Sequence, residues 1–316
     1  GLASEQPVRT ILSGPAGGVV GAFYTAMQAG YPDIITVDMG GTSTDVSLCP
    51  GEIKETTSAN VGGYPIGVPM IDIHTVGAGG GSIARVDTGG ALVVGPESAG
   101  AEPGPACYGV GDQITVTDAN LLLGRLLPDR FLGGRIALDR DRVVGLMQAL
   151  AGQINTDAHQ TALGINRVVN ANMERAIRKI SLERGYDPRL FTLVPFGGAG
   201  PMHACELARE LGIPRILVPS NPGILSALGV AIADIVKDYS RTVMLRRADL
   251  DRSRIDEEFQ GMEGQARTEM AGEGLDVDKM AARRFLDVRY VGQSFELTVD
   301  YPSRPTKTDL AKVIGE

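Results

Sequence analysis

The stretch that decides the fold of this chain is Ile34-Ile35-Thr36-Val37-Asp38-Met39-Gly40-Gly41-Thr42-Ser43-Thr44-Asp45-Val46-Ser47-Leu48. An apolar run ends in an acid, two glycines follow, and alternating polar and apolar residues lead away, which predicts a β-hairpin. Because glycine has no side chain, backbone N–H groups of such a turn can approach a phosphate. Asp38 and Asp45 flank the turn, where carboxylates can hold hydrated Mg²⁺ or orient a water.

An ordinary hairpin can carry the same Gly-Gly turn, so the motif needs its context. Asp87-Thr88-Gly89-Gly90 has a similar pattern, but no Thr and no second acid follow it. We interpret that second copy as a plain turn. The apolar strand before Gly40 and the alternating strand after Gly41 favour a functional site at the first copy.

Composition excludes several classes of protein. The chain has 316 residues, a net charge of −8, 43% hydrophobic and 22% charged residues, and an unusually high 42 glycines. An acidic chain without a basic block predicts no binding to nucleic acid or to anionic membranes. No apolar run reaches the roughly 18–20 residues of a membrane span.

The first residues and the cysteines of the chain indicate what kind of polypeptide it belongs to and in which compartment. The chain begins with Gly1 and shows no signal peptide, so we interpret it as an internal segment of a longer polypeptide. Cys49, Cys107 and Cys205 are few, odd in number and widely spaced. They predict neither a disulfide framework nor a zinc site, and they fit a cytoplasmic protein.

Hydrophobic periodicity predicts the elements. Helices are expected at 13–30, 139–151, 161–184, 201–211, 221–236 and 247–272. Strands are expected at 34–38, 43–49, 52–58, 70–76, 82–86, 91–94, 191–196 and 215–218, with a hairpin at 284–300. Strand–helix alternation after residue 190 predicts an α/β domain with parallel pairing. We expect one domain at 1–240, with an insertion at about 60–160, and a truncated second domain at 241–316.

A second glycine run follows a buried strand and opens a helix: Phe196-Gly197-Gly198-Ala199-Gly200-Pro201-Met202-His203. Free N–H groups and the positive end of the helix dipole meet there, which suits the sugar or phosphate of a nucleotide. A tight strand–helix connection uses the same residues. Alone, this run leaves both interpretations open.

A third pattern is Asp72-x-His74, followed by Gly79, Gly80 and Gly81. Residues two apart on a strand project to one face, so Asp72 and His74 suit a shared metal or a proton-transfer pair. The glycines can cradle an oxyanion or a phosphate. A purely structural Asp–His pair fits equally well.

Three further residues are given structural roles. Cys107 has no adjacent base and is interpreted as a packed thiol rather than a nucleophile. His159 lies in a polar segment and is predicted to be solvated. Asp118 either caps a helix at 119–127 or reaches the site, and capping is favoured.

The order of these pieces resembles one lobe of the actin-like (ribonuclease H-like) ATPase fold shared by actin, sugar kinases and heat-shock chaperones. The matching parts are a small-residue helix at 13–27, the Asp38 hairpin, the glycine turn after Phe196, and a helix holding Ser226-Ala227-Leu228-Gly229. The resemblance implies an α/β lobe whose mixed sheet is flanked by helices. It also implies that the hairpin is a phosphate loop and the second turn an adenosine loop.

Within that superfamily the chain resembles the hydantoinase A/5-oxoprolinase family, which includes acetone carboxylase subunits. The residues that carry the resemblance are Leu12–Ala22, Val37–Asp45, Thr75–Ala84, Ser98–Tyr108, Thr117–Leu126, Pro195–Ala204 and Asn221–Gly229. The motif Arg289-Tyr290-x-Gly292-Gln293-Ser294 in the tail adds a less specific match.

These patterns and the resemblance together give a candidate site for ATP and Mg²⁺ or another divalent metal. The expected catalytic residues are Asp38, Asp45, Asp72 and His74, and the expected metal ligands are Asp38, Asp72 and His74. The expected nucleotide-binding residues are Gly40, Gly41, Thr42, Thr44, Gly79, Gly80, Gly81, Gly197, Gly198 and Gly200.

The resemblance implies hydrolysis of cyclic amides. ATP phosphorylates the ring amide oxygen of 5-oxoproline or a hydantoin, and water then opens the ring. A planar lactam is a poor electrophile, so phosphorylation supplies the missing activation while the protein positions groups and neutralises charge. The carboxylase branch instead activates bicarbonate and the enol of a ketone.

The resemblance also implies partners, namely a hydantoinase B-type subunit and an N-terminal lobe of the same polypeptide. That lobe carries the first phosphate loop, and residues 1–316 contain no second Asp-x-Gly-Gly-Thr. We therefore expect this chain alone to bind ATP weakly and hardly to turn it over. A nucleotide-dependent switch or chaperone-like module is the alternative from another class, and the glycine-rich stretch at 60–120 disfavours it.

Overall fold

The computed structural model describes residues 13–56, 59–61, 64–66, 70–246, 251–293 and 296–301, with backbone alone for 59–61 and 64–66. Parts of several expectations lie outside the described residues, namely Leu12, 57–58, 247–250 and Ser294. The chain divides into two compact units, residues 1–234 and 235–316. The expected boundary at residue 240 falls shortly after this division.

The described helices and strands are as follows. The helices are α1 Ser13–Gln28, α2 Val116–Leu122, α3 Arg140–Gln153, α4 Ala158–Ile180, α5 Gly200–Leu211, α6 Leu225–Ile232 and α7 Arg252–Gly272. The strands are β1 Asp33–Met39, β2 Thr44–Pro50, β3 Glu55–Thr56, β4 Ala59–Val61, β5 Tyr64–Ile66, β6 Met70–Ile71 and β7 His74–Val76. They continue with β8 Ser82–Val86, β9 Leu92–Ser98, β10 Thr192–Phe196, β11 Arg215–Ile216, β12 Phe285–Val288 and β13 Leu297–Asp300.

The first unit is built on a mixed five-stranded sheet of order β11-β10-β1-β2-β7. Strands β11, β10 and β1 are parallel, whereas β2 is antiparallel to both β1 and β7. Every residue of β10 is buried, as expected for a parallel strand covered on both faces. The predicted hairpin and the predicted parallel pairing are confirmed.

Two layers of helices cover the sheet, and strand alternation divides the apolar residues between them. Ile35, Val37 and Val46 belong to the cluster that includes the inner faces of α4 and α5. Ile34 and Phe196 belong to the cluster formed with α1 and α6. Neighbouring residues of β1 therefore face opposite layers, and this parity decides where each site residue points.

Glycines allow α1 and α6 to cross in backbone contact. A Cβ on Gly17 would lie 2.7 Å from the carbonyl oxygen of Ser226, and one on Gly21 would lie 2.7 Å from that of Leu225. A Cβ on Gly229 would lie 2.7 Å from the backbone nitrogen of Gly21. The crossing places the start of α6 beside the end of β1.

Some predicted elements change. The expected strand at 70–76 is two strands, because β6 pairs with β3 while β7 pairs with β2. The expected helix at 221–236 begins only at Leu225, after a 3-10 turn at Pro222–Ile224, and ends at Ile232. His159 is exposed as predicted, but it lies in the first turn of α4 rather than in a loop.

Helix α2 begins earlier than predicted, and its cap is Thr115 rather than Asp118. Asp118 is the reciprocal partner in a capping box, since its side chain accepts from the backbone N–H of Thr115 at 2.8 Å. It also accepts from the backbone N–H of Cys107 at 2.8 Å. Cys107 is buried and its thiol is free, so the packed-thiol interpretation is confirmed.

The second unit contains α7 and the β12–β13 hairpin. Arg284 Nε donates to Glu263 at 2.7 Å, the Tyr301 hydroxyl donates to Asp256 at 3.0 Å, and the Phe259 and Tyr301 rings stack 5.2 Å apart. These contacts attach the hairpin to the helix. Across both units, no helix within the described ranges is long and apolar enough to cross a membrane.

Candidate functional site

The turn predicted to bind phosphate, Gly40–Ser43 (called the phosphate turn below), closes the β1–β2 hairpin. The last strand pair is Met39 with Thr44, and the Gly40 N–H donates to the Ser43 carbonyl at 3.0 Å. Gly41 and Thr42 are exposed, and their N–H groups have no partner among the described residues. Two adjacent free N–H groups at an exposed turn can both donate hydrogen bonds to an anion.

The Gly79–Gly81 run supports this turn from behind, which corrects its predicted role as a second cradle. The N–H groups of Gly80 and Gly81 donate to the carbonyls of Gly40 and Gly41 at 2.9 and 2.6 Å. The Gly79 N–H donates to Ser82 Oγ at 2.9 Å. A Cβ on Gly79 would lie 2.7 Å from the Gly41 carbonyl oxygen. Glycine is needed here for backbone-to-backbone contact, and these N–H groups are not available to a ligand.

Thr44 also acts as an anchor rather than as a phosphate ligand. Its side chain is fully buried, and its hydroxyl donates to the Ala78 carbonyl. One layer further, the hydroxyl and N–H of Thr117 both donate to the Gly80 carbonyl at 2.8 Å. The phosphate turn therefore rests on the segment 78–81, which in turn rests on the start of α2.

Asp38 and Asp45 face each other across the hairpin, on the sheet face that α1 and α6 cover. Burial and, to a smaller extent, the nearby Asp45 carboxylate raise the pKa of Asp38, a hydrogen bond from Ser226 at 3.4 Å lowers it, and the net pKa is about 6. Burial raises the pKa of Asp45 too, against a hydrogen bond donated by Thr75. Neither carboxylate forms an ion pair with a described residue.

The glycine turn after β10 meets this carboxylate pair. Because β10 runs parallel to β1, Phe196 lies beside Asp38 and both strands end at the same edge. Gly197 has φ +77° and donates its N–H to the Pro222 carbonyl at 3.0 Å. The Ala199 N–H donates to the Met39 carbonyl at 3.0 Å. The carboxyl edge of parallel strands is where α/β folds bind ligands.

The three glycines of this turn differ in what surrounds them. A Cβ on Gly197 would overlap the Asp38 carboxylate, and one on Gly200 would lie 3.1 Å from the Val37 carbonyl oxygen. Gly198 is exposed with open space beside it. Gly197 and Gly200 therefore serve close packing, whereas Gly198 leaves open space at the surface of the turn.

The structure does not bring Asp72 and His74 to this site. In the β2–β7 register Thr75 lies opposite Asp45, so the adjacent His74 projects to the other face, toward α4. Asp72 forms an ion pair with Arg184. Burial, Lys179 and Arg184 lower the pKa of His74. The predicted metal set Asp38, Asp72 and His74 is corrected, because the sheet separates its members and cations surround His74.

In the described part of the chain, Asp38 and Asp45 are the carboxylates that this sheet edge brings together. No group of three His, Cys, Asp or Glu side chains there is placed to hold a metal ion. The carboxylate oxygens of Asp38 and Asp45 are of the type that would hold a hydrated divalent cation. Two partly buried carboxylates without a basic partner favour a bound cation.

Sequence reasoning missed two hydroxyl partners and one buried network. Ser226 donates to Asp38 and Thr75 donates to Asp45. These partners were missed because neither pair is close in sequence. His203 is fully buried, and its Nδ1 lies 2.7 Å from Asn170 Oδ1. Burial lowers the pKa of His203 to about 4. The only sequence feature that pointed to His203 was its position in the first turn of the helix that begins at Gly200.

Comparisons with known proteins identify the family of this chain. The family described as Hydantoinase/oxoprolinase matches residues 1–239. The chain is 40% identical to the caprolactamase subunit alpha of Pseudomonas jessenii over 302 residues, which are 94% of this chain and 43% of that protein. It is 36% identical to a 5-oxoprolinase of Dictyostelium discoideum over 327 aligned positions, and the match covers 95% of this chain and 26% of that protein.

Two solved structures are similar over nearly the whole chain. A nucleotide-free acetone carboxylase has a TM-score of 0.79 at 29% identity, covering 97% of this chain and 45% of that one. The ATP-dependent caprolactamase of Pseudomonas jessenii has a TM-score of 0.75 at 35% identity, covering 95% and 44%. The chain spans less than half the length of these relatives. The predicted fold class, an α/β lobe of actin-like ATPase type, is confirmed.

Proposed function

The chain belongs to the hydantoinase/oxoprolinase family, and on that premise we propose that it forms the phosphate-binding part of an ATP-dependent cyclic-amide hydrolase. One observation carries the proposal. The free N–H groups of Gly41 and Thr42 lie at the same sheet edge as the Asp38–Asp45 pair and the Gly197 turn. Anion donors beside paired carboxylates are what a magnesium–phosphate ligand requires.

In this proposal each residue has a limited role. Gly41 and Thr42 bind phosphate oxygens through their N–H groups, and Gly40 shapes the turn. Asp38 and Asp45 hold a hydrated divalent cation, which neutralises phosphate charge when it is bound. Gly198 borders the nucleoside.

The reaction we propose is transfer of the γ-phosphoryl group to the carbonyl oxygen of a cyclic amide. Water then adds to the carbonyl carbon, and the C–N bond breaks as the ring nitrogen takes a proton, which leaves an acyl phosphate. A second water hydrolyses the acyl phosphate to the carboxylate and inorganic phosphate. The protein's contribution is positioning and charge stabilisation. The names of two relatives, a caprolactamase and a 5-oxoprolinase, support this substrate class.

The proposal includes partners. One relative is named as a subunit alpha, and we propose a B-type subunit and a second ATPase lobe that closes the nucleotide site. The cytoplasmic location expected from the cysteines belongs to the same proposal. A single lobe leaves one side of the site open, so tight nucleotide binding requires that partner lobe.

A ketone carboxylase subunit is the second candidate, and the acetone carboxylase likeness at a TM-score of 0.79 favours it. The phosphate turn serves both chemistries, since each begins with phosphoryl transfer to an oxygen. The two candidate functions differ in the molecule whose oxygen accepts the phosphoryl group.

The test is substrate-stimulated ATP turnover by the complete protein with its partner subunit. Caprolactam, 5-oxoproline and a hydantoin form one arm, and acetone with bicarbonate forms the other. We expect stimulation by a cyclic amide and its loss in Asp38→Ala. Stimulation by acetone alone would favour the carboxylase, and undiminished ATP turnover in Asp38→Ala would remove the site assignment.

A further inference from the structure

A cavity of about 300 Å³ lies between β7 and α4, on the sheet face opposite Asp38. Its polar lining consists of His74, Asn172, Arg175 and Lys179, together with the backbone of Gly77 and Ala78. Among the described residues no carboxylate lines it, although Asp72 and Glu183 lie near enough to His74 to raise its pKa. This is a local concentration of cations in a chain whose net charge is −8.

The cations of this cavity are not used by neighbouring acids. Lys179 forms no ion pair in the part of the chain that the structure describes, and Arg175 contacts the neutral side chain of Asn172. Glu174 is paired with Arg178, and Asp72 is paired with Arg184. The positive charge therefore remains available to a ligand.

The cavity also offers neutral donors. The Gly77 N–H is exposed and has no partner among the described residues. The partly buried His74 ring can donate one N–H in its uncharged form. Arginine presents a planar fork that matches carboxylate and phosphate oxygens. Cations and donors thus converge on one space.

We propose that this cavity binds a small dianion bearing phosphate or carboxylate groups. Arg175 and Lys179 supply the charge, and Asn172, His74 and Gly77 supply additional donors. The site is separate from the phosphate turn, because the sheet lies between them. It does not depend on the proposed ATP chemistry.

The floor of the cavity connects to the phosphate turn. The Ala78 carbonyl accepts the Thr44 hydroxyl, and Gly79–Gly81 follow directly behind the turn. An anion held against Gly77 and Ala78 therefore touches the segment that supports Gly40 and Gly41. Binding there can stabilise the turn without occupying it.

The experiment titrates the 316-residue chain by calorimetry with inorganic phosphate and, separately, with malonate, without nucleotide or divalent metal. We expect saturable binding of at least one anion. In the double variant Arg175→Gln/Lys179→Gln, affinity should fall about tenfold or more, since two charge-assisted contacts are lost. Circular dichroism checks that the variant is folded.

Arg167→Gln is the matched control, because it removes one charge from an exposed position of the same helix outside the cavity. The affinity of Arg167→Gln for the anion should stay within about twofold of the wild-type affinity. Absence of saturable binding would overturn the proposal. So would equal affinity in the double variant, or displacement of phosphate by ATP with no effect of the double variant, which would locate the anion at the phosphate turn.

Discussion

Gly197 and Asp38 are packed so closely that no side chain fits between them. A Cβ on Gly197 would overlap Oδ1 of Asp38 and lie 2.6 Å from the Met39 carbonyl oxygen. Gly197 also has φ +77°, a conformation that other residues adopt at a cost. The position of the carboxylate and the conformation of the second turn therefore depend on each other.

Gly197→Ala should lower the free energy of unfolding by about 1–3 kcal/mol, since it adds both strain and overlap. In the complete protein it should also lower ATP turnover, because Asp38 must move. Gly198→Ala is the control, since Gly198 has open space beside it. Urea unfolding of the chain measures the first effect. Equal stability of the two variants would contradict this packing.

Gly41→Ala tests whether phosphate approaches the free N–H groups of the turn. A Cβ at Gly41 meets nothing within 4 Å, so the free energy of unfolding should change by less than about 0.5 kcal/mol. A ligand that needs this space should bind about tenfold more weakly. The KM for ATP in the complete protein is the measurement. Gly145→Ala, at an open position of α3, should leave KM unchanged; if Gly41→Ala does the same, phosphate does not bind here.

The β1–β2 hairpin and the parallel pairing of the later strands could be predicted from sequence, because their signals are local, whereas the relation between the two glycine turns was implied by the family resemblance alone. Strand β10 is a continuous apolar run, and the glycines of α1 indicate a close helix crossing. The pairings around the carboxylates were not predictable. Ser226 lies 188 residues from Asp38, and Arg184 lies 112 residues from Asp72.

Gly79–Gly81 show a different limit of sequence reasoning. A glycine run indicates that something approaches the backbone closely, but not what approaches. Here the neighbour is the backbone of Gly40 and Gly41 rather than a ligand. Likewise, one strand does not hold both Asp72 and His74, because β6 ends at Ile71 and β7 begins at His74, and their spacing does not say which face of the sheet His74 occupies. Only the register with β2 decides that.

Asp38→Asn should stabilise the protein at neutral pH while removing ATP turnover. The fold raises the pKa of Asp38 from 3.8 to about 6, so it favours the uncharged form. The favourable contribution is fully present below about pH 3.8 and is lost as the pH rises through about 6. Asparagine cannot ionise, so the variant should gain about 1–2 kcal/mol above pH 6 after screening is taken into account.

Urea unfolding of wild type and Asp38→Asn between about pH 4 and 8 measures this difference. The gain should shrink toward zero as the pH approaches 4, because both side chains are then neutral. Asp33→Asn is the control, since Asp33 is an exposed residue of the same strand. A gain that is constant across the pH range would show that charge at Asp38 is not its cause.

His203 should make the protein sensitive to acid. The Asn170 amide donates to Glu206, so its oxygen accepts from His203 Nδ1, and His203 Nε2 accepts from Asn120 at 3.2 Å. A second proton on the ring has no acceptor. Since burial lowers the pKa from 6.5 to about 4, the contribution of neutral His203 is fully present above pH 6.5 and is lost as the pH falls toward 4.

His203→Gln should therefore be less stable than wild type at pH 7, because the network loses a partner, but its stability should fall less between about pH 6.5 and 4. The difference in this decline should be about 2–3 kcal/mol. His159→Gln, at an exposed position of α4, should follow the wild type at every pH. Urea midpoints at a series of pH values measure all three. If His203→Gln declines as steeply as the wild type, protonation of His203 is not what limits stability in acid, because no other change in that variant removes a titrating group.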